Sequence, residues 1–123
     1  MLMDDCVDAS SGDRFYQSSY KMLKNLFGAG AVKSIPLDHE VFSNVYDLRR
    51  MGLPTLWGVN HGAKGVFINE RLAVFLSSVD LHCGWGDLPG DSFGKKGTRR
   101  HGQHGYEESI QMGINIIMYS ISH

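Results

Sequence analysis

The chain has 123 residues, of which 12 are basic and 13 are acidic, so its formal net charge is −1. This length suits a single domain, and a hydrophobic share of 42% argues against a disordered chain. The near-neutral charge provides no general attraction to nucleic acid. No apolar stretch reaches the roughly 20 residues that cross a membrane, so we expect a soluble, cytoplasmic protein without direct membrane insertion, unless upstream sequence carries an anchor.

The first third of the chain predicts a strand, a helix and a second strand. Met1 to Met3 is an apolar run, typical of a buried strand, that ends at Asp4 and Asp5. A helix capped by Ser10, Ser11 or Asp13 should follow and should end at Gly28, which permits left-handed backbone angles. Ala31 to Ile35 is the second expected strand. The apolar face of the helix is expected to comprise Phe15, Ser19, Met22, Leu23, Leu26 and Phe27.

The middle of the chain predicts a hairpin. Val66–Ile68 and Arg71–Leu76 are apolar segments joined by Asn69 and Glu70, and a two-residue link that begins with Asn tolerates the positive φ of tight turns. The second strand is apolar on both faces. It should therefore be central in its sheet.

The last third predicts a long loop and a helix. The segment from Gly84 to Gly105 is rich in glycine and basic residues without periodicity, which indicates a mobile loop. A terminal helix follows, with Glu107 and Glu108 in its first turn. Its expected buried stripe comprises Tyr106, Ile110, Ile114, Ile117, Met118 and Ile121.

Five motifs in this order resemble a bacterial family, the domain of unknown function 4159. They are Asp4-Asp5 after a strand, the segment from Pro36 to Phe42 with Asp38-His39, the strand starting Arg71-Leu72, Asp80-Leu81 with Gly84-Trp85 close behind, and the terminal segment Gly113-x-Asn115-Ile116-x-x-Tyr119. Glu40 departs from this pattern, since the family usually has proline there.

The resemblance implies an α/β fold similar to class I glutamine amidotransferases. The expected architecture is a partial flavodoxin-like three-layer sandwich, with a mostly parallel sheet, a hairpin and a C-terminal helix. The family has further strands before the paired aspartates. Residues 1–123 are therefore expected to form one domain that lacks upstream strands, and a homo-oligomer or another protein is expected to cover the open edge of its sheet.

The acidic residues after two strands are the leading site candidates. In open α/β sheets, ligands bind at the carboxyl ends of strands. If the strands before Asp4, Asp5 and Asp80 are parallel neighbours, the three carboxylates gather at one edge, as a hard cation such as Mg²⁺ prefers. The alternative is that these acids cap helices or loops. Ligand contacts are also expected of His39 and of Trp85, for which a core plug is favoured over a lid.

Two cysteines suggest other chemistry. Cys6 follows a strand and precedes a helix, which is the position of a nucleophile in amidotransferase-like folds, so Cys6, Asp5 and His39 are catalytic candidates. The acidic neighbours disfavour a thiolate, and an idle cysteine is the favoured interpretation. A zinc set is a further alternative, although adjacent His and Cys residues rarely reach one metal. It would comprise His82, Cys83, His101 and His104.

The basic segment of the long loop offers an anion site. Lys95, Lys96, Arg99 and Arg100 lie among glycines and could close on phosphate, although a solvated loop is the favoured interpretation. No pattern indicates a cofactor. The sequence thus predicts a non-catalytic binding or assembly module. The alternative is a hydrolase-like enzyme or a metal-binding protein that uses Asp4, Asp5 and Asp80.

Overall fold

The computed structural model describes residues 1–5, 13–56, 59–85 and 106–123. Its regular elements are strands β1 (Leu2–Asp4), β2 (Val32–Ser34), β3 (Lys64–Ile68) and β4 (Arg71–Ser77), helices α1 (Arg14–Phe27) and α2 (Tyr106–Ser122), and the 3-10 helices Glu40–Phe42 and His82–Gly84. Within these ranges, neither α-helix has the length and apolar character that a membrane span requires.

The four strands form one mixed sheet, and this corrects the expected fold class. Their order is β1-β4-β3-β2. Only β1 and β4 run parallel, whereas β4 with β3 and β3 with β2 are antiparallel. The prediction of a mostly parallel, flavodoxin-like sheet is therefore wrong. Part of the physical reason is that only Asn69 and Glu70 link β3 to β4, and a parallel pair needs a longer crossover, whereas the connection 35–63 between β2 and β3 is long enough for either direction.

The predicted hairpin is confirmed. β3 and β4 pair antiparallel around Asn69 and Glu70, whose φ angles are 50° and 66°. Two successive positive φ values are typical of a type I′ turn, whose twist matches that of the flanking strands. β4 is an inner strand of the sheet as predicted, since it lies between β1 and β3.

Helices cover both faces of the sheet. On one face, Tyr16 and Leu23 of α1 pack in a cluster with Val66, Val74 and Leu76. The buried residues of α1 are Tyr16, Ser19 and Leu23, whereas Phe15, Met22, Leu26 and Phe27 are exposed, so the expected face of this helix is rotated. On the other face, the cluster contains Met112 and Tyr119 of α2, with Val41 and Phe42 of the first 3-10 helix.

The expected stripe of α2 is wrong for most of its members, although Ile114 is half-buried. Ile110, Ile117 and Ile121 are 41%, 54% and 72% exposed, and Met118 is also exposed. The side chain of Tyr106 lies outside the described residues. The buried face instead presents Ser109, Met112, Asn115 and Tyr119. An apolar stripe is ordinarily the buried one, but here the polar members find hydrogen-bond partners inside the protein.

Asn115 is a polar side chain that is buried because the protein supplies its hydrogen-bond partners. It is fully buried, its Oδ1 accepts from the N–H groups of Val45 and Tyr46, and its Nδ2 donates to the carbonyl of Tyr46. Tyr119 accepts from the N–H of Leu72 through its hydroxyl. These bonds give partners to backbone groups beside α2, of which the N–H of the buried Leu72 could not reach water instead. Ile110, Ile117 and Ile121 face outward, whereas Ile116 packs against the core. The expectation of a homo-oligomer or protein partner remains a prediction.

Truncating one side chain on each face of α2 should show which face is buried, the observed one with Met112 or the expected one with Ile117. Met112→Ala should lower the free energy of unfolding by about 2–5 kcal/mol, because it leaves a cavity in the core. Ile117→Ala on the outer face should change it by less than about 1 kcal/mol. Urea unfolding of both variants measures the difference, and a larger loss for Ile117→Ala would show that the helix is rotated.

The hairpin turn predicts a stabilising substitution. Glu70 has a φ of 66°, a region that glycine adopts without a steric cost. Glu70→Gly should therefore raise the free energy of unfolding by about 0.5–1 kcal/mol. Glu70→Ala is the matched control, since it removes the same carboxylate and retains the Cβ. An equal gain from both variants would mean that the charge, and not the backbone, is responsible.

Candidate functional site

The parallel pairing of β1 with β4 brings two strand ends to the same edge of the sheet. Asp4, the last residue of β1, is level with Ser77, the last residue of β4. Asp80 follows shortly after β4, at a φ of 59°, and the chain then enters the 3-10 helix His82–Gly84. This left-handed backbone is uncommon outside glycine, although aspartate tolerates it better than most residues. The sequence-based expectation that Asp4 and Asp80 lie near one edge thus has a structural basis.

Asp4 holds the imidazole of His82. Its Oδ2 accepts two hydrogen bonds from that residue, one from the backbone N–H at 2.9 Å and one from Nδ1 at 2.7 Å. The side chain of Asp4 is only 5% exposed. Its second oxygen, Oδ1, is buried and has no hydrogen-bond partner among the described residues. One oxygen of this carboxylate is therefore satisfied twice, while the other is left unpaired in the interior.

Asp80 lies on the same imidazole. Its side chain is 3% exposed, and its Oδ1 is 3.4 Å from Nδ1 of His82. The Nδ1 proton is directed to the nearer Asp4, so Oδ1 of Asp80 also has no hydrogen-bond partner in the described part of the chain. Buried carboxylate oxygens are ordinarily hydrogen-bonded, and each exception requires an explanation. Two of them beside one histidine make this edge the strongest candidate site.

Cys83 completes the cluster. Its thiol and its backbone N–H hydrogen-bond to the Asp80 carboxylate, and its Sγ is 3.9 Å from Nε2 of His82. One ligand atom each from Asp80, His82 and Cys83 can be chosen so that all lie within 4.8 Å of one another. Burial raises the pKa of Asp80; the hydrogen bond from the Cys83 thiol and the nearby His82 oppose this change, and the Asp4 charge adds to it.

Asp5 faces away from this cluster. Successive residues of an extended chain point to opposite faces of a sheet, so Asp5 turns to the α1 side and accepts from the N–H of Tyr16 through Oδ2. Burial raises its pKa, against this hydrogen bond, and the charges of Asp13 and Asp4 add to the effect. The sequence had suggested that the three aspartates converge on one point. They do not, because Asp5 lies on the other face of the sheet.

His39 is also remote from the strand ends. Its Nδ1 accepts from the N–H of Val41, so it caps the first 3-10 helix, and its ring contacts Phe67 and Tyr119. Burial lowers its pKa. Tyr119 lies about 15 Å along α2 from Ser109, which borders the second 3-10 helix. His39 therefore has a structural role in the part of the fold opposite the cluster.

Trp85 fastens the second 3-10 helix to α2. Its Nε1 donates to the carbonyl of Ser109 at 2.7 Å. A Cβ built on Gly113 would lie 2.7 Å from the indole ring, so the close contact needs a glycine. Trp85 is 36% exposed, so it is partly covered where it joins the second 3-10 helix to α2. Trp85 therefore links the end of the second 3-10 helix to α2.

Several expectations fall outside the described residues. These are the nucleophile candidate Cys6, the zinc candidates His101 and His104, and the anion candidates Lys95, Lys96, Arg99 and Arg100. The sequence suggested His82 and Cys83 for zinc, and the aspartates separately for a ligand, a hard cation or hydrolase chemistry. The spacing Asp80-x-His82-Cys83 was the signal that could have joined the two groups.

The family resemblance is confirmed by comparison with known proteins. The model of the family described as domain of unknown function (DUF4159) matches residues 1–121, so the chain belongs to this family. No curated protein matches the chain.

A substitution at Gly113 tests the close contact between the Trp85 indole and α2. Gly113→Ala should displace the indole and lower the free energy of unfolding by about 1–3 kcal/mol, as overpacking does. Tryptophan fluorescence should shift towards the emission of a solvated indole. Gly30→Ala is the matched control, because a Cβ there meets nothing within 4 Å. Equal behaviour of the two variants would contradict the close contact.

Proposed function

We propose that this member of a family of unknown function is a binding module that takes a divalent cation at the carboxyl ends of β1 and β4. The residues that would hold the cation are Asp80, His82 and Cys83, with Asp4 behind the imidazole. Metal binding was one alternative expected from the sequence, with Asp4, Asp5 and Asp80. Asp5 is left out of the proposed site because it faces α1.

The unpaired Oδ1 atoms of Asp4 and Asp80 carry the proposal. Burying a carboxylate oxygen without a partner is costly, and two carboxylates that share one imidazole also repel each other. A cation between or beside them would offset both costs. Asp4 and Asp80 do accept backbone N–H groups, from His82 and Cys83, but these bonds leave one buried oxygen of each carboxylate without a partner among the described residues.

A thiol-dependent hydrolase is the second candidate, and one observation favours it. Cys83 Sγ, the His82 imidazole and Asp4 Oδ2 follow one another in the order of a nucleophile, a base and an orienting acid. The Asp80 carboxylate argues against this function, since it accepts from the thiol and a nearby negative charge disfavours a thiolate. A cation neutralises that charge. The binding function therefore accounts for all four side chains, whereas the hydrolase leaves Asp80 opposed to it.

The likeness to class I glutamine amidotransferases adds no weight to the hydrolase. That class was inferred with a mostly parallel sheet, and the sheet here is mixed. Its expected nucleophile position, Cys6, lies outside the described residues. Cys83 is in a different place, after the central strand of the sheet.

Calorimetric titration with Zn²⁺ and Mg²⁺ tests the proposal. The wild-type chain should bind a divalent cation, and the cation should raise its melting temperature because it binds the folded state. Asp80→Asn should weaken binding by at least about 100-fold, since it removes a charge from the site. Its metal-free melting temperature should not fall, because a neutral amide is cheaper to bury than a carboxylate.

Asp47→Asn is the matched control. Asp47 is exposed and pairs with Arg49, so its loss should leave cation affinity unchanged. A wild-type chain that binds no divalent cation would overturn the proposal. Equal affinities of the wild type and Asp80→Asn would also overturn it, because binding would then occur elsewhere.

A further inference from the structure

We infer that the cation is of the zinc type, bound by the Cys83 thiolate, by Nε2 of His82 and by a carboxylate oxygen of Asp80, and that Asp4 is a positioning residue behind His82. This inference rests on the proposed function and specifies the class of ion and the role of each side chain. Mg²⁺, the ion that the three aspartates had suggested from the sequence, is then not the preferred ion.

The donor atoms decide the class of ion. Mg²⁺ and Ca²⁺ take oxygen donors, whereas sulfur and imidazole nitrogen suit Zn²⁺ and similar ions. The atoms of Asp80, His82 and Cys83 that lie within 4.8 Å of one another are one oxygen, one nitrogen and one sulfur. Only one of these three donors suits a hard cation. The set therefore matches a borderline-soft ion.

The hydrogen bond of Asp4 decides which imidazole nitrogen binds. Since the Asp4 carboxylate can only accept, Nδ1 of His82 carries the proton in the 2.7 Å bond. Nε2 is then the nitrogen with the lone pair, and it is the nitrogen 3.9 Å from Cys83 Sγ. Zinc ligands with Zn–N of about 2.0–2.1 Å and Zn–S of about 2.3 Å are separated by about 3.6 Å in a tetrahedron. A small adjustment of two side chains would reach this geometry.

Asp4 therefore has the role of an outer partner. In metal sites, a ligating histidine commonly donates its other N–H to a carboxylate, which fixes the tautomer and the ring orientation. Asp4 Oδ2 also accepts the backbone N–H of His82, so it holds both the ring and the backbone of this ligand. Asp4 is 5% exposed and cannot exchange this partner for water without leaving the interior.

The buried acid shows that the cluster is more than a surface cysteine beside a histidine. The side chain of Asp80 is only 3% exposed, and its unpaired Oδ1 lies 3.4 Å from Nδ1 of the His82 imidazole. His82 is 43% exposed, so an ion can enter from solvent on that side. As zinc binds, the Zn–S bond replaces the S–H bond of Cys83 and the proton passes to solvent. Three protein donors leave a fourth position for water or another ligand.

Cobalt binding tests the donor set, because Co²⁺ bound to a thiolate has a sulfur-to-metal charge-transfer absorption. The wild-type chain should show this band, and Zn²⁺ should displace it. Cys83→Ser should lose the band and weaken zinc binding by more than about 100-fold, whereas Cys6→Ser, the matched control, should retain both. Loss of the band in Cys6→Ser with its retention in Cys83→Ser would overturn the inference.

Two further measurements keep the test independent of folding defects. Blocking the Cys83 thiol of folded Cys6→Ser protein with methyl methanethiosulfonate should abolish the band, and a reductant should restore it. Asp4→Asn keeps a hydrogen-bond acceptor for Nδ1 and should weaken zinc binding by about 10–100-fold while the cobalt band persists. Loss of the band in Asp4→Asn, with an intact fold, would make Asp4 a ligand and contradict its assigned role.

The outcomes for the two proposals are distinct. If the wild-type chain binds Mg²⁺ or Mn²⁺ at Asp80 more tightly than Zn²⁺, and blocking Cys83 changes nothing, the zinc-type donor set is wrong and the cation-binding function stands. If no divalent cation binds at all, the proposed function fails and this inference fails with it.

Discussion

The parallel pairing of β1 with β4 is the constraint on which the candidate site depends. Asp4 and His82 are 78 positions apart in the chain, and they meet because the register sets Asp4 level with Ser77. Backbone bonds from Phe75 to Met1 and from Asp5 to Ser77 fix this register from both ends. A slip by one residue would turn Asp4 to the α1 face of the sheet, because side chains alternate along a strand. The cluster would then lose the group that orients its histidine.

The docking of α2 is the second constraint, and it explains several residues that carry the family resemblance. Gly113 admits the indole of Trp85, Asn115 satisfies the backbone at Val45 and Tyr46, and Tyr119 satisfies Leu72. These residues hold α2 against the second 3-10 helix, against the segment at Val45 and Tyr46, and against β4. They contribute to packing, and the chemistry of the site is left to Asp4, Asp80 and the two residues after Leu81.

Part of this arrangement could be predicted from the sequence. The Asn69-Glu70 hairpin and the central position of β4 follow from local turn chemistry and from an apolar strand, so they were predicted correctly. The direction of the remaining pairings was not, because it depends on contacts between distant segments. The face of α2 was also missed, since hydrophobicity favours Ile117 as the buried residue and only the tertiary partners of Asn115 reverse the choice.

The sequence placed the candidate aspartates at strand ends, and Asp4 and Asp80 do lie there, but their role as a site remains a prediction. Aspartates after two strands indicate a strand-end site once those strands are parallel. The role of His82 depends on a hydrogen bond across the sheet edge, which no local pattern encodes. X-ray absorption at the zinc edge of the zinc-loaded chain tests the account most directly. We expect one sulfur at about 2.3 Å with nitrogen and oxygen at about 2.0–2.2 Å. A first shell of nitrogen and oxygen alone would contradict it.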